Sequence, residues 1–184
     1  FELFQDEAFF SACKSQKSTI NKLIAPIFNQ DVFSESKNIF GFKNVQPNYI
    51  VNQFEGQIDT GKMISSLLLK VQKSGVKILN NCTVDGFEEK IFFVTVKTDQ
   101  TTFTTTKLFI ATNGFAKHLL DENVQPARAQ VVITKPIKNL HIKGAFHLDK
   151  GYYYFRNIDN RILFGGGRNL DFKTEETTDF GQTD

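Results

Sequence analysis

The chain has 184 residues, of which 40% are hydrophobic and 23% charged, and its formal net charge is +2. This composition is ordinary for a globular protein, and it lacks the basic excess that favours nucleic acid or an anionic membrane. We therefore expect a small-molecule partner. With 20 Phe, 4 Tyr and no Trp, we assign most of the phenylalanine to the core.

The cysteines and histidines give no sign of a metal site or a disulfide. Cys13 and Cys82 lie far apart without a CxxC spacing, and the three histidines form no zinc-ligand pattern. No apolar run approaches the roughly 20 residues that span a bilayer, and the N-terminal residues do not resemble a secretion signal. These features predict a cytoplasmic protein without a metal or a membrane span.

The first predicted elements are helical. Apolar residues in 1–30 recur at about helical spacing, which predicts one or two amphipathic helices closed by Pro26. Residues 31–58 hold short apolar patches, such as Tyr49-Ile50-Val51, between Ser, Asn and Pro residues. That pattern predicts loops and short strands.

The clearest local pattern is "QIDTGKMISSLLLKVQKSGVKILNNCTV", residues 57–84. Asp59 or Thr60 can cap a helix whose apolar residues repeat every 3.6 positions, and Gly75 stops it. The apolar residues at 76–79 then predict a strand. A strand beside a helix within so short a span is typical of an α/β unit.

Antiparallel strands are predicted for the rest of the chain. From Phe87 to Ala111, alternating residues predict a hairpin with a turn at Asp99-Gln100, followed by a returning strand that ends in "KLFIA". After Pro126, "ARAQVVITKPI", "GYYYFRN" and "RILFGGG" predict further strands, and "NIDN" predicts the hairpin turn between the last two.

Two places in these strands are candidate binding sites. The strand "KLFIA" runs into "ATNG", where Ala111 and Gly114 would let a ligand approach the backbone and Asn113 tolerates a tight turn. In "GYYYFRN", alternation places Tyr154 and Arg156 on one face, where a phenol and a guanidinium suit a substrate carboxylate. The alternatives are an ordinary turn and a solvated sheet face.

The order of these segments resembles the FAD-dependent oxidoreductases of the D-amino-acid oxidase superfamily, in the branch of glycine, sarcosine and γ-glutamylputrescine oxidases. The resemblance covers about residues 50–170 and rests on "EGQIDTGKM", "GVKILNNCTV", "KLFIATNGF", "ARAQVVIT" and "YYYFRNIDNRILFGGG". It implies an α+β fold, with a mixed or antiparallel substrate-domain sheet and part of an FAD-binding α/β domain. We expect a helical and substrate-domain segment at 1–56, the partial FAD-binding domain at 57–121 and substrate-domain sheet at 122–184.

The resemblance also implies a cofactor, a reaction and cofactor contacts. In the full-length protein FAD would accept a hydride from the C–N carbon of an amine or amino acid. Val84 would offer its backbone to the adenine, and Ala111, Thr112, Asn113 and Gly114 would lie against FAD. Because the cofactor carries the difficult chemistry, no catalytic side chain is implied.

The chain departs from this family at the phosphate site. No GxGxxG opens a βαβ unit, and Gly165, Gly166 and Gly167 come late in the chain. We therefore expect an internal fragment that binds FAD poorly and is inactive alone. A non-catalytic α+β ligand-binding module is the alternative, and the substrate, the choice between oxidase and dehydrogenase, and the oligomeric state stay open.

Overall fold

The computed structural model describes residues 1–121 and 123–182, and it divides into two compact units. The first unit comprises Phe1–Asp59 and Ala129–Phe172. The second comprises Thr60–Arg128 and the described residues from Lys173 onward. Each unit is described by itself below.

Two α-helices, two 3₁₀ helices and nine strands make up the described part of the chain. In chain order they are α1 (Glu7–Phe28), β1 (Phe33–Lys37), β2 (Asn48–Asn52), α2 (Thr60–Lys73), β3 (Val84–Glu89), β4 (Val94–Thr98), β5 (Thr102–Thr105), a 3₁₀ helix (Asn113–His118), β6 (Val131–Ile133), β7 (Ala145–Leu148), β8 (Tyr153–Ile158), β9 (Arg161–Gly166) and a second 3₁₀ helix (Arg168–Leu170). The predicted α+β class is confirmed.

Helix α1 is a single helix with a cap at each end. The side chain of Asp6 accepts a hydrogen bond from Phe9 N at 2.7 Å, which satisfies one of the free amides of the first turn. Asn29 adopts a left-handed conformation with φ 57° and donates to Ala25 O. Pro26 lies inside the helix, which ends two residues later at Phe28, so the prediction that Pro26 closes the helix is wrong by two residues.

The strands of the first unit are antiparallel. β1 pairs with β2, and the other four run in the order β6-β9-β8-β7. The segment around Glu2 lies between these two groups, because Glu2 N donates to Ile50 O and Leu3 N donates to His147 O, both at 2.8 Å. Backbone hydrogen bonds therefore continue from β2 through residues 1–3 to β7.

The core of the first unit lies on one face of this sheet. Leu3, Tyr49 and Phe146 are almost completely buried there, and the rings of Phe146 and Phe155 stack with centroids 4.7 Å apart. Other partly buried residues that surround them are Phe1, Phe40, Phe42, Val45, Val51, Ile142 and Leu148. Ten of the 20 phenylalanines are nevertheless at least 36% exposed, so the expectation that most of them belong to the core is wrong.

The second unit contains α2 and the antiparallel sheet β3-β4-β5. The predicted hairpin turn at Asp99-Gln100 is present between β4 and β5. Two predicted strands are absent, however: 76–79 and 107–111 have no strand structure, and Phe109 is 86% exposed. A strand needs a hydrogen-bonded neighbour, and no described segment pairs with either of these two.

Helix α2 follows the predicted 3.6-residue pattern but buries none of its residues. Ile64, Leu67 and Leu68 lie on its apolar face and are each about half exposed. Among the described residues, no helix is both long and apolar enough to cross a membrane. The division into substrate-domain and FAD-binding segments stays a prediction.

Candidate functional site

The segment Ala111–Gly114 forms the tight turn that the sequence predicts. Asn113 has φ 51°, a left-handed conformation that asparagine adopts more readily than most residues, and it begins the first 3₁₀ helix. A Cβ on Gly114 would lie 3.0 Å from Cβ of Pro126. The absence of a side chain at Gly114 therefore makes room for Pro126.

One polar atom of this turn is buried without a partner. The hydroxyl oxygen of Thr112 is inaccessible to solvent and has no hydrogen bond among the described residues. Buried hydroxyl groups are normally hydrogen-bonded, because an unmet one costs about 1–3 kcal/mol. Thr112 therefore has an unused donor and acceptor at the point where the sequence predicts a cofactor contact.

A cleft of about 490 Å³ adjoins the turn within the second unit. Asn113, Gly114 and Pro126 contribute to one side. Arg128 also lines the cleft, and its Nε donates to Glu175 at 2.9 Å while Nη1 donates to Asp179 O at 3.3 Å. The other lining residues are Phe115, Val124, Gln125, Ala127 and 177–181.

Val84 begins an edge strand of the three-stranded sheet. Thr83 directs its N–H and C=O toward β4, where they bond the Asp99 side chain and amide at 3.0 Å. Because successive residues of an extended chain direct these groups to opposite edges, those of Val84 point to the open edge of β3. No described strand pairs there, and Val84 is 38% exposed.

Tyr154 and Arg156 lie on the face of β8 that is opposite the aromatic core. Phe155, between them in sequence, points to the core and stacks on Phe146. The predicted alternation in this strand is therefore confirmed. Tyr154 pairs with His147 on β7 and Gly165 on β9, whereas Arg156 pairs with Ala145 and Leu163.

The guanidinium of Arg156 has no hydrogen bond or ion pair to any described residue, although the side chain is half-buried. Lys14 and Lys17 of the same unit, in contrast, both bind Glu35, at 3.0 and 2.9 Å. Arg161 donates to Thr134 O at 2.9 Å. Arg156 is thus a cation on an accessible sheet face with its hydrogen-bond donors available.

Residues 1–3 also contribute to this face, which no sequence pattern predicted. Glu2 and His147 pair across neighbouring strands, with Glu2 Oε2 3.9 Å from His147 Nδ1. Burial raises the pKa of Glu2, and His147 opposes that shift. A lone glutamate near the start of a helical stretch gives no sequence signal for this position.

Arg168 begins the second 3₁₀ helix and is half-buried. Its Nε is buried without a hydrogen-bond partner among the described residues, and its guanidinium lies over the Phe172 ring at 5.3 Å. Oδ1 of the adjacent Asn169 is also buried without a partner. Within 1–121 and 123–182, no cluster of three or more metal-binding side chains occurs.

The candidate contacts thus lie in separate units, Val84 and Thr112 in the second and Tyr154 and Arg156 in the first. A comparison with protein families gives the class of protein, because the model of the FAD-dependent oxidoreductase family, of D-amino-acid oxidase type, matches residues 42–184. The chain belongs to that family. No curated protein sequence gives a significant match.

FAD is therefore the cofactor, and the residues of the second unit fit it in part. The unused hydroxyl of Thr112 and the open backbone edge at Val84 are suited to polar groups of FAD. Gly114 also lines the cleft, and its missing side chain makes room for Pro126.

Proposed function

We propose that the chain forms the substrate-binding sheet and part of the cofactor domain of an FAD-dependent oxidoreductase that acts on amines or amino acids. In this proposal a hydride leaves the substrate carbon that is bonded to nitrogen. The observation that carries it is Arg156, a half-buried guanidinium without a carboxylate partner in the described part of the chain, on the same face as Tyr154.

Tyr154 and Arg156 suit a substrate that carries a carboxylate. Residues two apart on one strand face are about 6–7 Å apart, which a small amino acid can bridge. The planar guanidinium binds a carboxylate through two hydrogen bonds, and the phenol adds a third together with an apolar wall. These two residues bind and orient the substrate in our proposal, and neither acts as an acid or a base.

On the cofactor side we assign the backbone of Val84 and the turn Ala111–Gly114. Among these residues Thr112 has the strongest support, because its buried hydroxyl makes no hydrogen bond in the described structure. When bound, FAD supplies the electron acceptor for the oxidation. Cys13 and Cys82 are both free thiols, which supports the further proposal of a cytoplasmic location.

Replacing Arg156 in the FAD-bound enzyme tests the proposal. The Arg156→Ala enzyme should bind its amino-acid or amine-carboxylate substrate roughly 10- to 150-fold more weakly, since a charge-assisted hydrogen bond contributes about 1.5–3 kcal/mol. The measurement is an anaerobic titration followed by flavin reduction. Flavin content should stay unchanged.

Arg161→Ala is the matched control, because Arg161 lies in the neighbouring strand and bonds a backbone carbonyl. It should leave substrate affinity within about twofold of the wild type, as expected for a surface residue. If both variants bind substrate as the wild type does, Arg156 faces solvent and the substrate site lies elsewhere.

A further inference from the structure

A groove in the first unit runs between α1 and the sheet, and we call it the α1 groove. Its volume is about 390 Å³, within the range of sites that bind small molecules. The walls are mainly apolar and consist of Phe4, Ala12, Cys13, Ile20, Phe33 and Ile50, with Glu2, Gln16 and Lys17 as the polar members.

The two charged residues of the α1 groove differ in their partners. Lys17 Nζ donates to Glu35 at 2.9 Å, so its charge is compensated inside the protein. Glu2 faces His147 Nδ1 at 3.9 Å, which is too long for a hydrogen bond. The carboxylate of Glu2 therefore has cations nearby, His147 and the N-terminal ammonium, but no hydrogen bond among the described residues.

Burial also favours a cationic partner for the Glu2 carboxylate. It raises the pKa of this carboxyl, which shows that the surrounding protein solvates the anion less well than water does. A cation next to Glu2 would restore the lost stabilisation. Apolar walls would meanwhile cover the non-polar part of the same ligand.

We propose that the α1 groove binds a small amphipathic amine, with its alkyl or aryl body against Phe33, Ile50 and Ile20 and its ammonium group on Glu2. An anionic ligand would be repelled by the carboxylate of Glu2, and a purely apolar ligand would leave that carboxylate without a hydrogen bond. This inference uses only residues of the first unit and does not depend on the proposed oxidoreductase function.

The position of Glu2 also relates the groove to the rest of the sheet. Backbone pairing places Ile50, Glu2, His147 and Tyr154 side by side on successive strands, and directly paired residues share a face. The α1 groove thus opens on the face that carries Tyr154.

Cys13 provides a direct measure of occupancy, because it lines the α1 groove. In a Cys82→Ser background Cys13 is the remaining thiol. Hexylamine should slow the alkylation of Cys13 by iodoacetamide in a saturable manner, and 1-hexanol, of similar size but uncharged, should protect at least about tenfold less well. Equal protection by the two compounds would overturn the assignment of the ammonium group to Glu2.

The charge of Glu2 is tested separately. In the Glu2→Gln variant the apparent Kd for hexylamine should rise about tenfold or more, while the apparent Kd for 1-hexanol changes little. Protection is expressed relative to each variant's own rate without ligand, because burial and the charge of Glu2 both raise the pKa of Cys13. Glu7→Gln is the control, because Glu7 lies in the first turn of α1 and does not line the groove. If Glu2→Gln still binds hexylamine with wild-type affinity, the proposal is wrong. If this variant does not fold, the comparison of hexylamine with 1-hexanol on the wild-type protein tests the proposal instead.

Discussion

The ring of Tyr154 lies directly over Gly165 on the neighbouring strand: a Cβ at Gly165 would be only 2.8 Å from Cε2 of Tyr154 and would overlap its Cζ and hydroxyl. Because Gly165 has no side chain, the phenol ring of Tyr154 can lie against its backbone. Because Tyr154 is one of the two proposed substrate contacts, the small residue on β9 positions the contact on β8.

Three glycine-to-alanine substitutions should form a graded series of unfolding free energies. Gly86→Ala should cost less than about 0.5 kcal/mol, since nothing lies near its Cβ position. Gly165→Ala should cost about 1 kcal/mol, because the tyrosine ring can turn aside. Gly166→Ala should cost the most, about 3 kcal/mol, since φ is 121° and a Cβ would overlap the carbonyl of Tyr152.

Urea denaturation measures the series, and a double substitution identifies the cause. With Tyr154→Ala already present, Gly165→Ala should cost almost nothing, because the ring that it displaces is gone. An unchanged cost in the double variant would show that the Tyr154 ring is not what restricts position 165.

Strands β8 and β9 and the turn between them were predictable, because residues close together in sequence determine them. Alternation in "GYYYFRN" placed Tyr154 and Arg156 opposite Phe155, and "NIDN" forms the turn before β9 with Asp159 at φ 50°. Helix α2 was predictable for the same reason, because apolar spacing and Gly75 define it. In each case the pattern lies within about 15 consecutive residues.

Features that depend on distant partners were not predictable. Residues 76–79 and 107–111 have strand-like composition, yet a strand forms only where a neighbour supplies hydrogen bonds. Glu2 reaches the face of Tyr154 because residues 1–3 insert beside β7, more than 140 positions along the chain. A local sequence pattern cannot predict a pairing between residues so far apart in the chain.

Asn21 should be among the most sensitive polar residues of the first unit. It is 3% exposed, its Nδ2 donates to Phe33 O at 2.8 Å, and its Oδ1 accepts from the amides of Val32 and Phe33. Asn21→Ala leaves these groups unpaired and should lower the free energy of unfolding by about 2–4 kcal/mol. Ser15→Ala, which removes only an exposed hydroxyl bonded within α1, should cost under about 0.5 kcal/mol.

Glu2 and Glu35 should give opposite pH dependences of stability. Burial raises the pKa of Glu2, so the folded state binds more protons and stability falls as pH rises from the unfolded pKa, about 4.3, through the folded pKa. Hydrogen bonds from Lys17 and Lys14 lower the pKa of Glu35. Its stabilisation is therefore present above about pH 4.3 and is lost as pH falls through the folded pKa.

Unfolding experiments at pH 3, 4, 5 and 7 on Glu2→Gln and Glu35→Gln check these signs. Relative to the wild type, Glu2→Gln should gain stability as pH rises. Glu35→Gln should lose stability over the same change, by about 0.2–1 kcal/mol because its ion pairs are partly exposed. Parallel pH profiles for the two variants would contradict the assigned pKa directions.

Thr112→Val should affect stability and cofactor affinity in opposite directions. In the chain without FAD, the substitution removes a buried hydroxyl that has no partner and keeps the side-chain volume, so the free energy of unfolding should rise by about 1 kcal/mol. In the FAD-bound enzyme the same hydroxyl is proposed to bond the cofactor. Its loss should weaken FAD binding about two- to tenfold, with substrate affinity unchanged.

Urea denaturation of the chain and fluorescence titration of the apoenzyme with FAD separate the two effects. Thr104→Val is the control, because Thr104 is exposed on β5 and should alter neither quantity by more than about 0.5 kcal/mol. A gain in stability without a loss of FAD affinity would show that the Thr112 hydroxyl is unused in the holoenzyme as well. A loss of stability would instead mean that the hydroxyl already bonds an ordered water, since only a satisfied group stabilises the fold when it is buried.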